Sequence, residues 1–186
     1  MSSDSSQITA KENCYRQLMR RGRRHPNTKL LAELLASWRC GKGVLPVSLG
    51  LNSHSFLSLH RYHFDISPEI SESPCAAITP YHRTHLLRLL EANARNQSPS
   101  VRWITELIST ACRGQNHLWE DLGVWSRASL STLMEYNFPS LAQRNDRDMK
   151  WKKFLSREMC QQGDVYVCQA PTCDECCDFD DCFGPE

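Results

Sequence analysis

Six of the chain's ten cysteines lie between Cys160 and the C-terminus, and five of those six fall within 15 residues. The run is Cys168-Gln-Ala-Pro-Thr-Cys173-Asp-Glu-Cys176-Cys177-Asp-Phe-Asp-Asp-Cys182. Taking Cys168, Cys173, Cys176 and Cys182 gives C-x4-C-x2-C-x5-C, in which four thiols can converge on one metal centre. Thiolate is a soft, charged donor suited to zinc and to iron–sulfur clusters. Structural zinc sites more often pair two short C-x-x-C knuckles across a longer spacer. Here one knuckle stands in an irregular run, which favours an iron–sulfur cluster and keeps zinc as the alternative. Cys177 follows Cys176 directly, and adjacent side chains usually point apart, so Cys177 is a spare thiol able to exchange with Cys176. Cys160, a few residues before the run, is a weaker accessory candidate. Cys14, Cys40, Cys75 and Cys112 read as small buried apolar residues.

Two further segments carry chemistry. In Gly114-Gln-Asn-His117-Leu-Trp119-Glu-Asp-Leu-Gly123, His117 is either an accessory metal ligand or a capping residue beside a core Trp119. Glu120 and Asp121 would lie in a first helical turn, where they complement the helix dipole. The basic run Arg147, Asp148, Met149, Lys150, Trp151, Lys152, Lys153 leads towards the cysteines. Lys150, Lys152 and Lys153 can capture an oxyanion or dock an acidic partner; the alternative is a solvated helix face. No G-x-S-x-G, P-loop, G-x-G-x-x-G or H-E-x-x-H motif is present, so no enzyme class is indicated.

Charge is distributed unevenly. From Glu158 to Glu186 there are eight acids and no Lys or Arg. All 22 basic residues therefore lie in the first 157 residues, giving that part a net charge of +9 although the whole chain carries +1. Five acids, Asp174, Glu175, Asp178, Asp180 and Asp181, sit between the candidate ligands, where added negative charge would lower a cluster's reduction potential. The near-neutral total argues against nucleic acid and membrane surfaces as partners. No run of about 18 apolar residues exists. The polar start, Met1-Ser-Ser-Asp-Ser-Ser, lacks the features of a secretory signal, so a cytoplasmic, reducing compartment is expected.

The elements that must position these groups read as helices. Leu30, Leu31, Leu34, Leu35 and Trp38 recur at helical spacing, as do Leu86, Leu87, Leu89 and Leu90. Thr79-Pro80 and Ser98-Pro99 mark helix starts. Val101, Ile104, Ile108 and Ala111 form one stripe, Leu130, Leu133 and Met134 another, and Trp151, Leu155 and Met159 recur every four residues. Thr28, Ser126 and Asn145 or Asp146 are the expected caps of three helices. Val165-Tyr166-Val167 is the nearest approach to a strand. An all-α, single helical domain of about six or seven helices is expected, with a C-terminal cysteine-rich metal-binding loop. Residues 1–10 are expected to be disordered, 11–163 to form the helical domain and 164–186 to form the cluster-binding tail.

From Ser98 onward the chain resembles the NifQ family of nitrogen-fixation proteins. The matching features are Asn116-His117-Leu118-Trp119, the Asp148-Met149-Lys150-Trp151-Lys152-Lys153-Phe154 segment, the C-x4-C-x2-C-x5-C run and the ending Cys182-Phe-Gly-Pro-Glu186. The extra thiol Cys177 departs from the pattern. The resemblance implies a non-enzymatic molybdenum donor for the iron–molybdenum cofactor of nitrogenase, with a molybdenum–iron–sulfur cluster on Cys168, Cys173, Cys176 and Cys182. It implies molybdate-derived molybdenum as cargo and the cofactor-assembly scaffold and iron protein as partners, with the chain acting as a monomer. Two readings stand beside it: a zinc-stabilised helical interaction module and a small iron–sulfur electron-transfer protein.

Overall fold

Four helices begin on a proline, where the missing N–H costs nothing and the fixed φ already suits a helix. They are α2 (Pro26–Arg39), α4 (Pro80–Ala92), α5 (Pro99–Ala111) and α8 (Pro139–Arg144). The computed structural model describes residues 2–68, 80–161 and 179–184. Around these four stand α1 (Ser2–Arg20), α3 (Ser53–Phe64), α6 (Leu118–Leu122), α7 (Arg127–Asn137), α9 (Trp151–Gln161) and α10 (Phe179–Phe183), with a 3-10 turn at Val47–Gly50. The described residues are all-helical, with more and shorter helices than the six or seven expected, and contain no strand. Val165-Tyr166-Val167 lies outside them.

The core centres on α5, whose Val101, Trp103, Ile104, Leu107, Ile108 and Ala111 are all buried. It packs against α3, α4 and α6, while α2 packs against α1 and α7, and α9 lies on α4. Leu31, Leu34 and Leu35 of α2 and Leu89 and Leu90 of α4 are fully buried, so their spacing identified the inward faces. Trp151, Leu155 and Met159 likewise form the buried face of α9.

Helix ends depart from the sequence reading in four places. Helix α1 begins at Ser2, within the stretch expected to be disordered; Ser and Asp are good residues for a helix start. His25, rather than Thr28, caps α2, its Nδ1 accepting the Asn27 N–H at 3.1 Å. Helix α3, for which the sequence reading named no cap, is capped by Asn52, whose Oδ1 accepts the Ser55 N–H at 2.8 Å. Asn145 does not start α9 but holds a turn before it: its Oδ1 accepts the Met149 N–H at 2.9 Å and its Nδ2 donates to Met149 O at 3.0 Å. Side chains that hydrogen-bond their own backbone compete with helix, so this one delays α9 to Trp151.

A polar network crosses the core. Asn27 Nδ2 donates to Ser100 Oγ (2.9 Å) and Asn137 Oδ1 (2.8 Å), and Asn137 Nδ2 donates back to Asn27 Oδ1 at 2.8 Å. His63 Nδ1 lies 2.9 Å from Thr28 Oγ1 and its Nε2 lies 3.0 Å from Ser100 Oγ. A neutral imidazole offers one donor and one acceptor, which matches these two partners. Burial pushes the His63 pKa down from 6.5 to about 3, helped by neighbouring His25 and His60. Burial lowers His25 and His60 as well. Above the unfolded value of 6.5 these rings are neutral in both states, and stability is full. As pH falls from there towards about 3, the unfolded chain takes up protons that the native chain excludes, and stability is lost. Denaturant titrations should therefore show a progressive loss below pH 6.5, and His63→Gln should be less stable at pH 7 but lose less on acidification.

Candidate functional site

Asp121 is completely buried although it carries a carboxylate. Such a charge must be surrounded by donors. Its Oδ2 accepts the Asn116 N–H at 3.1 Å, its Oδ1 accepts Asn116 Nδ2 at 3.3 Å, and Lys152 Nζ pairs with Oδ2. Lys152 Nζ also donates to Gly114 O at 2.7 Å. The backbone joins in, because Val44 N–H donates to Asp121 O at 2.9 Å. A Cβ on Gly114 would run into the Asp121 carboxylate, so glycine is required there. The Gly114–Gly123 segment, the loop after α2 and the first turn of α9 are thus fixed to one another.

His117 is the N-cap of α6, and its N–H donates to Glu120 Oε2 at 3.1 Å. The capping alternative is therefore realised, with Trp119 packed against the core. The three lysines differ from one another. Lys152 is held by Asp121 and Gly114 and is not a solvated charge. The side-chain ammonium groups of Lys150 and Lys153 have no hydrogen-bond or ion-pair partner among the described residues. Both line a cavity of about 510 Å³ together with Gln115, Asn116, His117 and Glu120. The two segments singled out from sequence therefore meet at one pocket.

Cys182 sits beside this pocket. It lies in α10, packed against the core with Phe183, and its carbonyl accepts the Lys150 N–H at 2.9 Å. Arg147 stacks over the Phe183 ring at 5.0 Å. Asp148, in the left-handed region at φ 54°, accepts from Arg127 through both its O (2.8 Å) and Oδ1 (2.9 Å), which fixes the turn between these contacts. Cys160 is half-buried in the last turn of α9. Ten residues of helix separate it from Lys150, about 15 Å at 1.5 Å per residue, so Cys160 and Cys182 occupy opposite ends of α9. Cys168, Cys173, Cys176 and Cys177 lie outside the described residues. Among the described residues, no group of three or more His, Cys, Asp and Glu is placed to hold a metal ion.

Cys112 packs against the core near Asp121 and Lys152. Burial pushes its thiol up to about 12, with Lys152 offsetting and Asp121 adding to the shift. A thiol so strongly protonated is a structural residue, although Cys112, like Cys14 and Cys40, is half-buried rather than buried as the sequence reading had it; Cys75 lies outside the described residues.

The NifQ family model matches residues 30–184. The chain belongs to the NifQ family. It is 36% identical over 173 residues to Protein NifQ of Azotobacter vinelandii, covering 84% of this chain and 87% of that protein. It is 32% identical over 171 residues to Protein NifQ of Klebsiella pneumoniae (85% and 99% covered) and 31% identical over 158 residues to that of Rhodobacter capsulatus (84% and 87%). No solved structure matches the chain significantly. Membership in NifQ places the chain in nitrogen fixation, in biosynthesis of the iron–molybdenum cofactor of nitrogenase. Among the described residues no helix is long and apolar enough to cross a membrane.

The centre of this NifQ site that sequence reasoning missed is Asp121, read there as a dipole partner. The available signal was Gly114 with Asn116: a residue without Cβ and a short amide beside a carboxylate. Breaking the pair from one side leaves a buried charge, at a cost of about 3–5 kcal/mol. Lys152→Gln and Asp121→Asn should each lower the melting temperature by roughly 6–20 °C in a chain of this size. Lys150→Gln and Lys153→Gln should shift it little, within about 0.5 kcal/mol. Thermal unfolding by circular dichroism distinguishes the paired lysine from its two neighbours.

Proposed function

We propose that the chain is a molybdenum carrier that holds its cargo on sulfur and donates it during assembly of the nitrogenase cofactor. The observation that supports this most directly is the Lys150 N–H to Cys182 carbonyl contact of 2.9 Å. It seats the last thiol of the C-x4-C-x2-C-x5-C run on the folded body rather than leaving it at a loose chain end. Cys168, Cys173, Cys176 and Cys182 are the ligands in this reading, and Cys177 is the spare. The donor set fits an iron–sulfur group: four thiols within 15 residues, and Cys182 half-buried with its backbone fixed. When bound, such a cluster supplies sulfide and thiolate coordination to molybdenum, a metal that soft donors retain.

The protein's own contribution is placement. Helix α9 and its turn hold Cys182, while Arg147 and the core hold Phe183 next to it. Cys160, at the far end of α9 from Cys182, is left out of the ligand set in this reading. The chain works as a carrier rather than a catalyst. Its partners are the assembly scaffold and the iron protein, which receive molybdenum from the acidic, cysteine-rich end.

Anaerobic isolation followed by elemental analysis for iron, molybdenum and zinc tests this reading. Iron and molybdenum should be present, with visible absorption from sulfur-to-metal charge transfer. Colourless protein containing only zinc would replace the carrier with a zinc-stabilised interaction module, and iron without molybdenum would point to electron transfer. Cys168→Ala, Cys173→Ala, Cys176→Ala and Cys182→Ala should each lose the bound iron while far-ultraviolet circular dichroism stays helical. Cys177→Ala should retain it.

A further inference from the structure

Among the described residues, two cations stand without an anion at the positive end of a helix. Lys150 and Lys153 flank the start of α9, whose first turn contains no acid. Backbone N–H groups at a helix start carry partial positive charge, so cations placed there are unfavourable without an anion. Lys152 meets its anion, Asp121. Lys150 and Lys153 have no such partner among the described residues, and both face the cavity of about 510 Å³ shared with Gln115 and His117. The acid lining that cavity is Glu120, and Glu120 is engaged by the His117 N–H at 3.1 Å. The volume holds a small tetrahedral ion with water around it. Asn116 is turned towards Asp121 and the His117 side chain caps α6, which leaves Gln115 as the neutral polar side chain beside the lysines.

We propose that this pocket captures a tetrahedral oxyanion dianion, with Lys150 and Lys153 as its charged contacts, and that the oxidised form of the cargo rests there before reaching the thiolates. The proposal rests on the carrier reading for the identity of the ion, and on the pocket alone for its charge and shape. The cysteine run has five acids between its ligands and no Lys or Arg, so it repels an oxyanion. The Lys150 N–H holds Cys182 at 2.9 Å, so the pocket and the end of the thiol run are neighbours. Direct contacts between an ammonium and an ion in the pocket would be shorter than the Debye length of about 8 Å at physiological ionic strength, so salt weakens them only in part.

Equilibrium dialysis of the full-length apo chain against molybdate, with sulfate as competitor, tests the proposal. The native chain should bind one molybdate, displaced by sulfate. Lys150→Gln/Lys153→Gln should weaken binding by about tenfold or more, as expected on losing charge-assisted contacts, while Lys150→Arg/Lys153→Arg should retain most of it. Arg20→Gln/Arg21→Gln removes the same charge from an exposed site at the end of α1 and should change nothing. Equal affinity in the Lys150→Gln/Lys153→Gln chain, or an equal loss in the Arg20→Gln/Arg21→Gln chain, overturns the pocket. Cys168→Ala/Cys173→Ala/Cys176→Ala separates the two readings. Molybdate binding that survives in it supports the pocket. Binding lost in it but kept by the lysine variant overturns the pocket and leaves the carrier standing. Conversely, a native chain isolated without iron or molybdenum would remove the carrier reading while pocket binding still stood.

Discussion

A carboxylate taken wholly out of water at Asp121 sets the terms for this end of the molecule. Such a group is tolerated only where donors replace its hydration, and unpaired it would cost several kcal/mol. The chain supplies a backbone N–H and an amide from Asn116 and an ammonium from Lys152. Its own carbonyl holds Val44, and both Gly114 and Gly43 lie so close to it that a Cβ would collide. Three stretches of chain far apart in sequence therefore meet on one residue, and none can shift without leaving the charge exposed or unpaired.

The same pair indexes the site. Once Lys152 is fixed, the first turn of α9 can take one rotational setting. Lys150 and Lys153 then face the Gln115–His117 strip, and the Lys150 N–H is left to receive the Cys182 carbonyl. A continuous path runs from Asp121 through Lys152 and the start of α9 to α10. The Arg127–Asp148 pair and the Arg147–Phe183 stack brace that path from either side. The exposed member of the first pair, Asp148, would contribute little alone. It matters because its left-handed backbone sets the turn that delivers Lys150.

Sequence patterning revealed the buried faces because burial of Leu, Ile and Trp at helical spacing is decided locally. The proline starts of α4 and α5 were legible for the same reason. The cap of α2 was not: His25 outcompetes Thr28 because Thr28 is drawn into the core by His63, a contact across 35 residues. Helix α9 was expected to begin earlier because Asn145 resembles a cap, and nothing local says that it closes a turn on Met149 instead. The cysteine spacing carries the soft-metal reading by itself, since Cys168, Cys173, Cys176 and Cys177 lie outside the described residues. The division of labour among Lys150, Lys152 and Lys153 could not be read, because the three are chemically identical and only the position of Asp121, 31 residues from Lys152, separates them.

On the carrier reading proposed above, the opposed charges of body and tail suit a protein that must handle one element in two forms. An oxyanion is hard and negatively charged, and it is held by ammonium groups and N–H donors. A reduced metal is soft and is held by thiolate and sulfide. One donor set cannot serve both, since thiolates among acids repel the first and lysines cannot ligate the second. The proposed arrangement keeps the two sets apart in sequence, with every Lys and Arg before Glu158 and six of the ten cysteines from Cys160 onward. It then joins them at a single backbone hydrogen bond, Lys150 N–H to Cys182 O. A rigid join is required at that point, because a tail free to wander would separate capture from storage by more than electrostatics can bridge in salt. The buried Asp121–Lys152 pair supplies that rigidity beside the place where, on the reading proposed here, the cargo would change hands.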